Sequence, residues 1–362
     1  MSLTVEQHDL AGAVADLLAK RSPEAEVRRL MADDTGYDPA LWAELAEMGL
    51  LGLAIPEEFG GAGAGAAELG VVMEQMGATL LCAPYLSTAV LTANLLVALD
   101  DSAERSEVLP AIAAGDLIAT VAFAEHGSAR PPLASRTTAQ PDGTRWRLSG
   151  EKTFVLDAMS AQRLYVTADS GVFAVERGAP GLAVTALATV DQTRKQARIT
   201  LADTRARQVG SVEALDEALD RASVALLGEQ AGGAMRAMQM STDYARTRFQ
   251  FGRAIGSFQA VKHMCADMLL EAQSALSAAR HLAAAFDADE PGRLADLALA
   301  QAYCSDAFVS VAATTIQVHG GIGFTWEHPA HLYLRRARTD AQIFGDPAWH
   351  RERYIRLREA QS

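Results

Sequence analysis

Two turns in the second half of the sequence combine residue types that bind diphosphates. One contains Arg248 and Gln259, and the other contains Gln317 followed by Gly320 and Gly321. Arginine presents a planar fork of donors, glutamine both donates and accepts, and paired glycines let backbone N–H groups approach phosphate oxygens without an intervening Cβ. Taken singly, such a glycine pair more often ends a helix, and such an arginine more often lies at a solvated helix terminus. Their joint presence indicates a diphosphate-binding site.

Histidine and cysteine positions indicate neither a metal site nor a disulfide framework. His319, His328 and His331 lie close in sequence, but zinc would need supporting ligands at shorter, helix-matched spacing. These histidines are interpreted as surface or interface residues. The three cysteines lie outside any Cys-x-x-Cys or Cys/His pattern and are interpreted as small core residues: Cys82, Cys265 and Cys304.

Composition bounds the class of protein and its partners. The chain has 362 residues, enough to bury two or three modest cores, and 49% of them are hydrophobic, which excludes disorder of the whole chain. Its 32 basic and 45 acidic residues give a net charge of -13 without a basic stripe, so nucleic acid is not expected as a partner. No uninterrupted apolar run approaches about 18 residues, and residues 1–20 have the pattern of an amphipathic helix that contains acidic residues. We therefore expect no membrane span, no signal peptide and a cytoplasmic location.

Hydrophobic periodicity divides the chain into helical, strand-rich and helical parts. The first part, 1–116, places apolar residues at helical spacing, for example Leu41 and Leu45. The second part, 117–212, contains short runs of β-branched and aromatic residues separated by turn signals. The third part, 213–362, is helical again, with periodic stretches far longer than the average globular helix. We predict one domain for each part.

The predicted elements are long helices and a small sheet. Strands are predicted at 118–124, 145–148, 153–156, 164–167, 172–176, 182–186 and 198–201, with a hairpin at Asp142-Gly143. Long helices are predicted at 219–248, 258–288 and 292–318, with a fourth at about 328–349. The predicted fold class is α+β: an N-terminal helical domain, a middle antiparallel β barrel or sandwich, and a C-terminal four-helix bundle.

Three segments, taken together, resemble the signatures of acyl-CoA dehydrogenases and occur in that family's order. They are 49–61, GLLGLAIPEEFGG; 248–259, RFQFGRAIGSFQ; and 317–324, QVHGGIGF. In that family the last two turns of one subunit reach the pyrophosphate and adenosine half of the FAD that is bound mainly by its dimer partner. The resemblance therefore implies FAD contacts for six residues: Arg248, Phe251, Gln259, Gln317, Gly320 and Gly321.

The resemblance also implies ring contacts in the strand-rich part, where the family binds the isoalloxazine ring. Phe123 and Ser128 lie where the family has a strand that ends in a Thr-Glu-Pro turn and a Gly-Ser pair, although Ala124 replaces the threonine. Phe154 lies where a family tryptophan covers one ring face. Leu156 replaces a family threonine that hydrogen-bonds near flavin N5. Alternatively, Phe154 and Leu156 are ordinary inward-facing strand residues.

The usual catalytic base of the family is missing. The reaction needs a carboxylate that removes the α-proton of the thioester while hydride leaves the β-carbon for flavin N5. A gap-free extension from the glycine pair places Phe344 where most family members carry glutamate. Asp220 lies beside the position used by a minority of the family, and Asp346 follows Phe344 by two residues. Alternatively, Asp220 is a dipole-favoured residue at a helix N-terminus and Asp346 caps the last helix, while Glu229 is a third carboxylate with no assigned place.

Three functions are compatible with this pattern. In the first, the chain is an active acyl-CoA dehydrogenase that desaturates a CoA thioester at Cα–Cβ and passes electrons to an electron-transfer flavoprotein or a similar acceptor. In the second, it is a base-deficient subunit that completes its partner's FAD site, similar to subunits of actinobacterial steroid side-chain dehydrogenases. In the third, it is a nitroalkane-oxidase-like or hydroxylase-like flavoenzyme. A turn that serves a neighbour's flavin implies at least a dimer, and the family resemblance implies a homotetramer or a heterotetramer.

Overall fold

The computed structural model describes residues 3–127, 130 and 135–360, in which helices precede and follow a sheet along the chain. The helices are α1 (Val5–Arg21), α2 (Glu24–Met31), α3 (Pro39–Glu47), α4 (Ala66–Ala78), α5 (Ala93–Ala98), α6 (Ser102–Ala113), α7 (Glu213–Thr247), α8 (Gln259–Asp287), α9 (Arg293–His319), α10 (Ala330–Ile343) and α11 (Pro347–Glu359). A π-helix spans Tyr85–Thr92, and short 3-10 turns span Glu57–Phe59, Ile255–Ser257 and Gly320–Phe324. The strands are β1 (Ala119–Ala122), β2 (Thr138–Asp142), β3 (Arg145–Leu156), β4 (Arg163–Ala168), β5 (Gly171–Glu176), β6 (Leu182–Ala186), β7 (Gln196–Gly210), β8 (Phe249–Gln250) and β9 (Arg253–Ala254).

Packing groups these elements into two compact units. The bundle unit comprises Met1–Val27, Ala66–Leu81 and Ser223–Ser362, and the sheet unit comprises Arg28–Gly65 and Cys82–Ala222. Each unit collects segments that are distant in sequence, and the boundaries fall inside α2 and α7. The division of the chain into domains at 116 and 212 stays a prediction.

The sheet unit contains a seven-stranded sheet with the order β1-β4-β5-β7-β3-β2, in which β6 also pairs with β7. The pair β1–β4 is parallel and the other pairings are antiparallel. The predicted hairpin forms between β2 and β3, where Asp142 pairs with Arg145. Trp146 and Phe173 meet edge to face in the core, with ring centroids 5.4 Å apart. The predicted α+β class is confirmed, with one parallel pair in an otherwise antiparallel sheet.

Strand β3 joins two runs that were predicted as separate strands. Its register with β7 shifts between Leu148 and Gly150 and again between Lys152 and Val155. Such bulges bend a strand and change the direction of a side chain without ending the pairing. The second bulge contains Phe154, which has a positive φ of 54°. The first shift coincides with the end of the predicted run 145–148, and the pairing with β7 continues beyond it.

The bundle unit is built on three long helices, α7, α8 and α9, with 35, 29 and 27 residues. These agree with the predicted helices, although α7 begins at Glu213 rather than 219. The predicted fourth helix is wrong as a single element, because it is divided into α10 and α11. Gly345 has a φ of 110°, Asp346 caps α11 and Pro347 is the first residue of that helix. The chain must leave the helical conformation there.

Helices α4 and α7 approach closely at glycines. A Cβ on Gly77 would overlap the carbonyl of Glu229, and a Cβ on Gly232 would overlap the carbonyl of Glu74. Each glycine of the pair therefore faces the backbone of the opposite helix. Arg280 of α8 donates to both carboxylate oxygens of Glu74 at 2.9 and 2.8 Å, which neutralises a charge buried beside this crossing.

Helix α9 with the turn that follows it, 293–324, is long and apolar enough to cross a membrane by length and composition, and it is the one such helix among the described residues. Half of its most apolar window is buried inside the protein. An apolar helix that packs within a bundle meets the same criterion.

Candidate functional site

The candidate diphosphate site has two parts, which we call corners. The first corner is a tight hairpin that follows α7. Strands β8 and β9 pair through Gln250 and Arg253, and the two residues between them, Phe251 and Gly252, have positive φ of 53° and 77°. Tight hairpins favour this geometry, which glycine adopts readily and phenylalanine adopts only under constraint. The turn leaves the Phe251 side chain 91% exposed. Arg248, at the junction of α7 and the hairpin, is exposed as well.

The second candidate corner is the end of α9. The helix ends at His319, and Gly320 has a φ of 63° and a ψ of -139°, which side-chain-bearing residues rarely adopt. Gly321 has no heavy atom within 4 Å of the place that a Cβ would occupy. Gln317 and both glycines are exposed. An anion can therefore approach the backbone here without steric hindrance from the chain.

The two corners lie side by side in the bundle unit. Tyr244, in the last turn of α7, stacks on His319 with ring centroids 4.4 Å apart and ring planes 27° apart. The backbone N–H of Arg248 donates to the carbonyl of Tyr244 at 2.8 Å. The stacked pair thus connects the arginine to the residue directly before Gly320. Corners on opposite ends of the bundle would have contradicted the predicted diphosphate site.

Gln259 lies next to the same hairpin. It begins α8 directly after Phe258, whose ring centroid lies 6.1 Å from that of Phe251 and 4.0 Å from the guanidinium carbon of Arg253. The exposed guanidinium, the exposed amides and the open backbone around Gly321 fit a diphosphate group. The individual cofactor contacts stay predictions.

The predicted ring contacts lie in the sheet unit. Phe154 occupies a bulge and its side chain is 52% exposed, so it is not an ordinary inward-facing strand residue. Leu156 is buried, as the alternative interpretation expects. Phe123 directly follows β1 and is buried. Ser128 lies outside the described residues.

A buried ion pair lies behind these predicted ring contacts, and sequence reasoning missed it. Nζ of Lys152 lies 2.7 Å from Oε1 of Glu125, and the two residues are 0% and 3% exposed. Glu125 also accepts from the backbone N–H of Arg136 at 3.0 Å, from Ser135 Oγ at 2.8 Å and from Thr137 Oγ1 at 3.1 Å. Burial by itself would raise the pKa of Glu125, but the hydrogen bonds from Lys152, Arg136 and Ser135 outweigh burial and lower the pKa to about 2. The carboxylate is therefore ionised at neutral pH.

The ion pair is attached to the backbone that carries the predicted ring contacts. The N–H of Thr153 donates to the carbonyl of Ala124 at 2.9 Å. Nζ of Lys152 also lies 3.5 Å from the carbonyl of Phe123. The segment after β1 and the bulged part of β3 are thus held together by one lysine and its neighbouring N–H group.

The candidate bases are engaged in structural contacts. Asp220 lies about two turns inside α7, so its interpretation as a helix N-terminal residue is wrong, and it is buried 3.6 Å from Nη2 of Arg130. Asp346 is the N-cap of α11 and accepts from the N–H of Trp349 at 2.7 Å. Phe344, at the position of the usual family glutamate, is buried.

Glu229, the third carboxylate, also has a structural partner. It is buried in the bundle unit and pairs with Nη1 of Arg336, whose Nη2 donates to the carbonyl of Leu81 at 3.1 Å. A buried charge is retained where a partner of opposite charge and hydrogen bonds compensate its desolvation. Glu229 thus belongs to the packing of α7 against α10 and the end of α4.

Replacing Asp346 with alanine is expected to lower the free energy of unfolding by about 1 kcal/mol and to leave turnover unchanged, because the change removes an N-cap. Denaturant unfolding and steady-state turnover measure the two effects. Asp346→Asn retains a capping side chain and is the control. If both variants lost turnover by more than about tenfold while alanine alone lost stability, Asp346 would be the base.

Comparison with known proteins agrees with this architecture. The family model described as "Acyl-CoA dehydrogenase, N-terminal domain" matches residues 4–116, and "Acyl-CoA dehydrogenase, C-terminal domain" matches residues 212–356. The chain is 35% identical to acyl-CoA dehydrogenase IpdE2 of Mycobacterium tuberculosis over 94% of each chain. It is 33% identical to IpdE2 of Mycolicibacterium smegmatis over 98% of each.

Solved structures share the whole fold. The Mycobacterium tuberculosis ChsE4-ChsE5 complex contains a chain that is 30% identical, with a TM-score of 0.91 over 100% of this chain and 99% of that one. A Tcur3481-Tcur3483 steroid ACAD variant contains a chain that is 31% identical, with a TM-score of 0.89 over 99% of each chain. The chain belongs to the acyl-CoA dehydrogenase family of oxidoreductases, which confirms the predicted family and enzyme class.

Proposed function

We propose that this chain is one subunit of a two-chain, FAD-dependent acyl-CoA dehydrogenase, in which it contributes the diphosphate-binding turns and its partner contributes the catalytic base. The complex desaturates an acyl-CoA thioester at Cα–Cβ. A carboxylate takes the α-proton, the β-hydrogen leaves with its electron pair, and the α-carbanion electrons form the double bond. When bound, the flavin supplies the hydride acceptor, and its electrons pass to an electron-transfer flavoprotein or a similar acceptor.

The exposed corner supports the cofactor half of this proposal. Arg248 offers its guanidinium to phosphate oxygens, and the backbone at Gly320 and Gly321 is open to them. Gln259 and Gln317 add donors that can also accept from a ribose or an adenine. An exposed set of this kind suits a cofactor held mainly by another subunit, because this chain then closes one side of the site.

The structural contacts of the candidate carboxylates support the proposal that the partner supplies the base. The main observation is that a buried phenylalanine, Phe344, occupies the position where the family base is expected. Asp346 uses its carboxylate to cap α11, and Asp220 lies beside Arg130. A base must reach the α-proton of the substrate, whereas each of these two carboxylates already has a structural partner in this chain. The acid–base chemistry is therefore assigned to the second subunit.

Apolar side chains around the corner support a subunit contact there. Large hydrophobic residues are exposed on the hairpin and on the turn after α9: Phe249, Phe251, Ile322, Phe324 and Trp326. Large apolar side chains exposed on neighbouring turns are typical of an interaction site. The similar ChsE4-ChsE5 and Tcur3481-Tcur3483 proteins are each named for two chains, and the second is called a steroid ACAD. CoA thioesters of steroid side chains are thus candidate substrates beside fatty acyl-CoAs.

The test is purification of this chain alone and together with a candidate partner, a second acyl-CoA dehydrogenase chain of the same organism. We expect the chain by itself to be colourless. With the partner, we expect a complex that shows flavin absorption, and this absorption should be bleached when an acyl-CoA is added. Fatty acyl-CoAs and a steroid side-chain CoA thioester form the substrate panel. Asp220→Asn in the complex is expected to leave bleaching within about a factor of two, because the partner supplies the base.

Other outcomes would contradict the proposal. One such outcome is that this chain alone forms a flavin-containing homo-oligomer that an acyl-CoA bleaches. If Asp220→Asn then lowered its activity by about 100-fold or more, the chain would be a complete enzyme with its own base. Flavin that is reduced only by a nitroalkane, or that supports only oxygen-dependent hydroxylation, would identify the third class of function. Full acyl-CoA dehydrogenase activity of this chain without a second subunit would also contradict the proposed two-chain enzyme.

A further inference from the structure

A stack of three aromatic rings lies directly behind the two exposed corners. We propose that His319, held between Tyr244 and His328, is a positioning residue that sets the spacing between Arg248 and the Gly320–Gly321 backbone for FAD. This inference rests on the proposed function, because it assumes that both corners contact the same diphosphate.

The stack joins three separate parts of the bundle unit. The His319 ring lies 4.4 Å from the Tyr244 ring and 4.2 Å from the His328 ring, with ring planes 27° and 41° apart. Tyr244 belongs to the last turn of α7, His319 ends α9, and His328 lies just before α10. Ring pairs at this distance have a preferred offset, so they limit how far the attached backbones can move relative to one another.

Hydrogen bonds fix the orientation of the central ring. Nδ1 of His319 lies 2.7 Å from the carbonyl oxygen of Thr315, which can only accept, so Nδ1 carries the proton. Oγ1 of Thr315 shares its one donor between the carbonyl of Val311 in the same helix, at 2.9 Å, and the carbonyl of Ala237 in α7, at 3.2 Å. Burial lowers the pKa of His319 more than the Thr315 contact raises it, so the stacked ring is neutral at neutral pH.

The stack is connected to both sets of proposed binding atoms through the backbone. On one side, the carbonyl of Tyr244 accepts from the N–H of Arg248 at 2.8 Å. On the other side, His319 directly precedes Gly320, and a Cβ on Gly323 would lie 3.2 Å from the Cβ of His319, so the turn packs tightly on this residue. A shift of the His319 ring therefore changes the distance between Arg248 and the Gly320–Gly321 backbone.

A histidine that only fills space would affect stability and nothing else. The test therefore compares FAD and ADP binding with thermal unfolding in the two-chain complex. His319→Ala removes the ring, and His319→Phe keeps a ring that can stack. Phe308→Leu is the matched structural control, because Phe308 is a buried aromatic residue of α9 about three turns from the corner.

We expect His319→Ala to weaken the binding of both FAD and ADP by about tenfold to 100-fold, the scale of losing one charge-assisted hydrogen bond. His319→Phe should restore most of this affinity, and Phe308→Leu should lower the melting temperature without changing either dissociation constant. ADP is informative because it contains only the part of FAD that the two corners are proposed to contact.

Two results would overturn the inference while the proposed function survives. The first is a wild-type complex that binds FAD and whose affinity is unchanged in His319→Ala. The second is equal weakening in His319→Ala and Phe308→Leu at matched loss of stability, which would assign a purely structural role. A wild-type complex without any affinity for FAD would overturn the proposed function and this inference together.

Discussion

Replacement of Lys152 with methionine is expected to lower the free energy of unfolding by about 3–5 kcal/mol. Methionine has a similar length but no charge, so the buried carboxylate of Glu125 would lose the ammonium group that lies 2.7 Å away. Its other hydrogen bonds, from residues 135–137, would then have to compensate a buried charge alone. Because Glu125 lies directly after Phe123 and Ala124, we also expect the predicted ring contacts to lose their fixed position.

Denaturant unfolding of wild type and variant measures this loss. The matched control is Arg221→Met, which breaks an exposed i,i+4 pair with Glu217 at 3.1 Å and should cost less than about 1 kcal/mol. The double variant Lys152→Met/Glu125→Leu should recover part of the loss, because an apolar pair leaves no unpaired charge in the core. If Lys152→Met were no more destabilising than Arg221→Met, the pair would not have the energetic role assigned to it.

The same pair predicts an acid-sensitive contribution to stability. The pKa of Glu125 falls from an ordinary 4.5 to about 2 in the folded chain. A carboxyl group with a lowered pKa stabilises the folded state above its unfolded pKa, and this contribution is lost as the pH falls from about 4.5 towards 2. Lys152→Met should therefore flatten the fall in stability over this acidic range relative to wild type, as measured by unfolding at a series of pH values.

Replacement of Gly321 with valine is expected to weaken FAD binding by the two-chain complex about 100-fold or more and to leave folding nearly unchanged. The Cβ would meet no heavy atom of this chain within 4 Å, and Gly321 has no positive φ that valine would strain. Valine would instead occupy the space through which phosphate oxygens are proposed to approach the backbone. Loss of two charge-assisted hydrogen bonds at about 1.5–3 kcal/mol each accounts for this weakening.

Flavin titration and thermal unfolding of the complex test the prediction. Gly178→Val is the matched control, because Gly178 is also exposed, has no positive φ and has no heavy atom within 4 Å of the position that a Cβ would take. Gly320 is less suitable, because its φ of 63° would strain any side-chain-bearing residue and confound stability with binding. Normal FAD affinity in Gly321→Val would remove the glycine corner from the cofactor site.

Local features were predicted well because neighbouring residues encode them. The Asp142-Gly143 hairpin and the three long helices follow from turn residues and from apolar periodicity, which act within a few residues. Asp346 and Pro347 predict the N-cap of α11, as observed, but the single helix predicted at about 328–349 runs across that break at Gly345. Strand β7 was predicted only at 198–201 but extends through Gly210, because its later residues are mostly polar and its pairing partners are distant in sequence.

The sequence by itself determined the family, the α-β-α order of elements and the residue types of the proposed diphosphate corner, since each of these depends on contiguous segments. Tertiary structure decided which of these residues meet: Tyr244 with His319, Lys152 with Glu125, and Asp220 with Arg130. It also turned Phe154 outward on a bulge. The physical reason is that ion pairs and ring stacks depend on distances across the fold. When the two partners are far apart in sequence, the residues around each of them do not indicate which residue will compensate its burial.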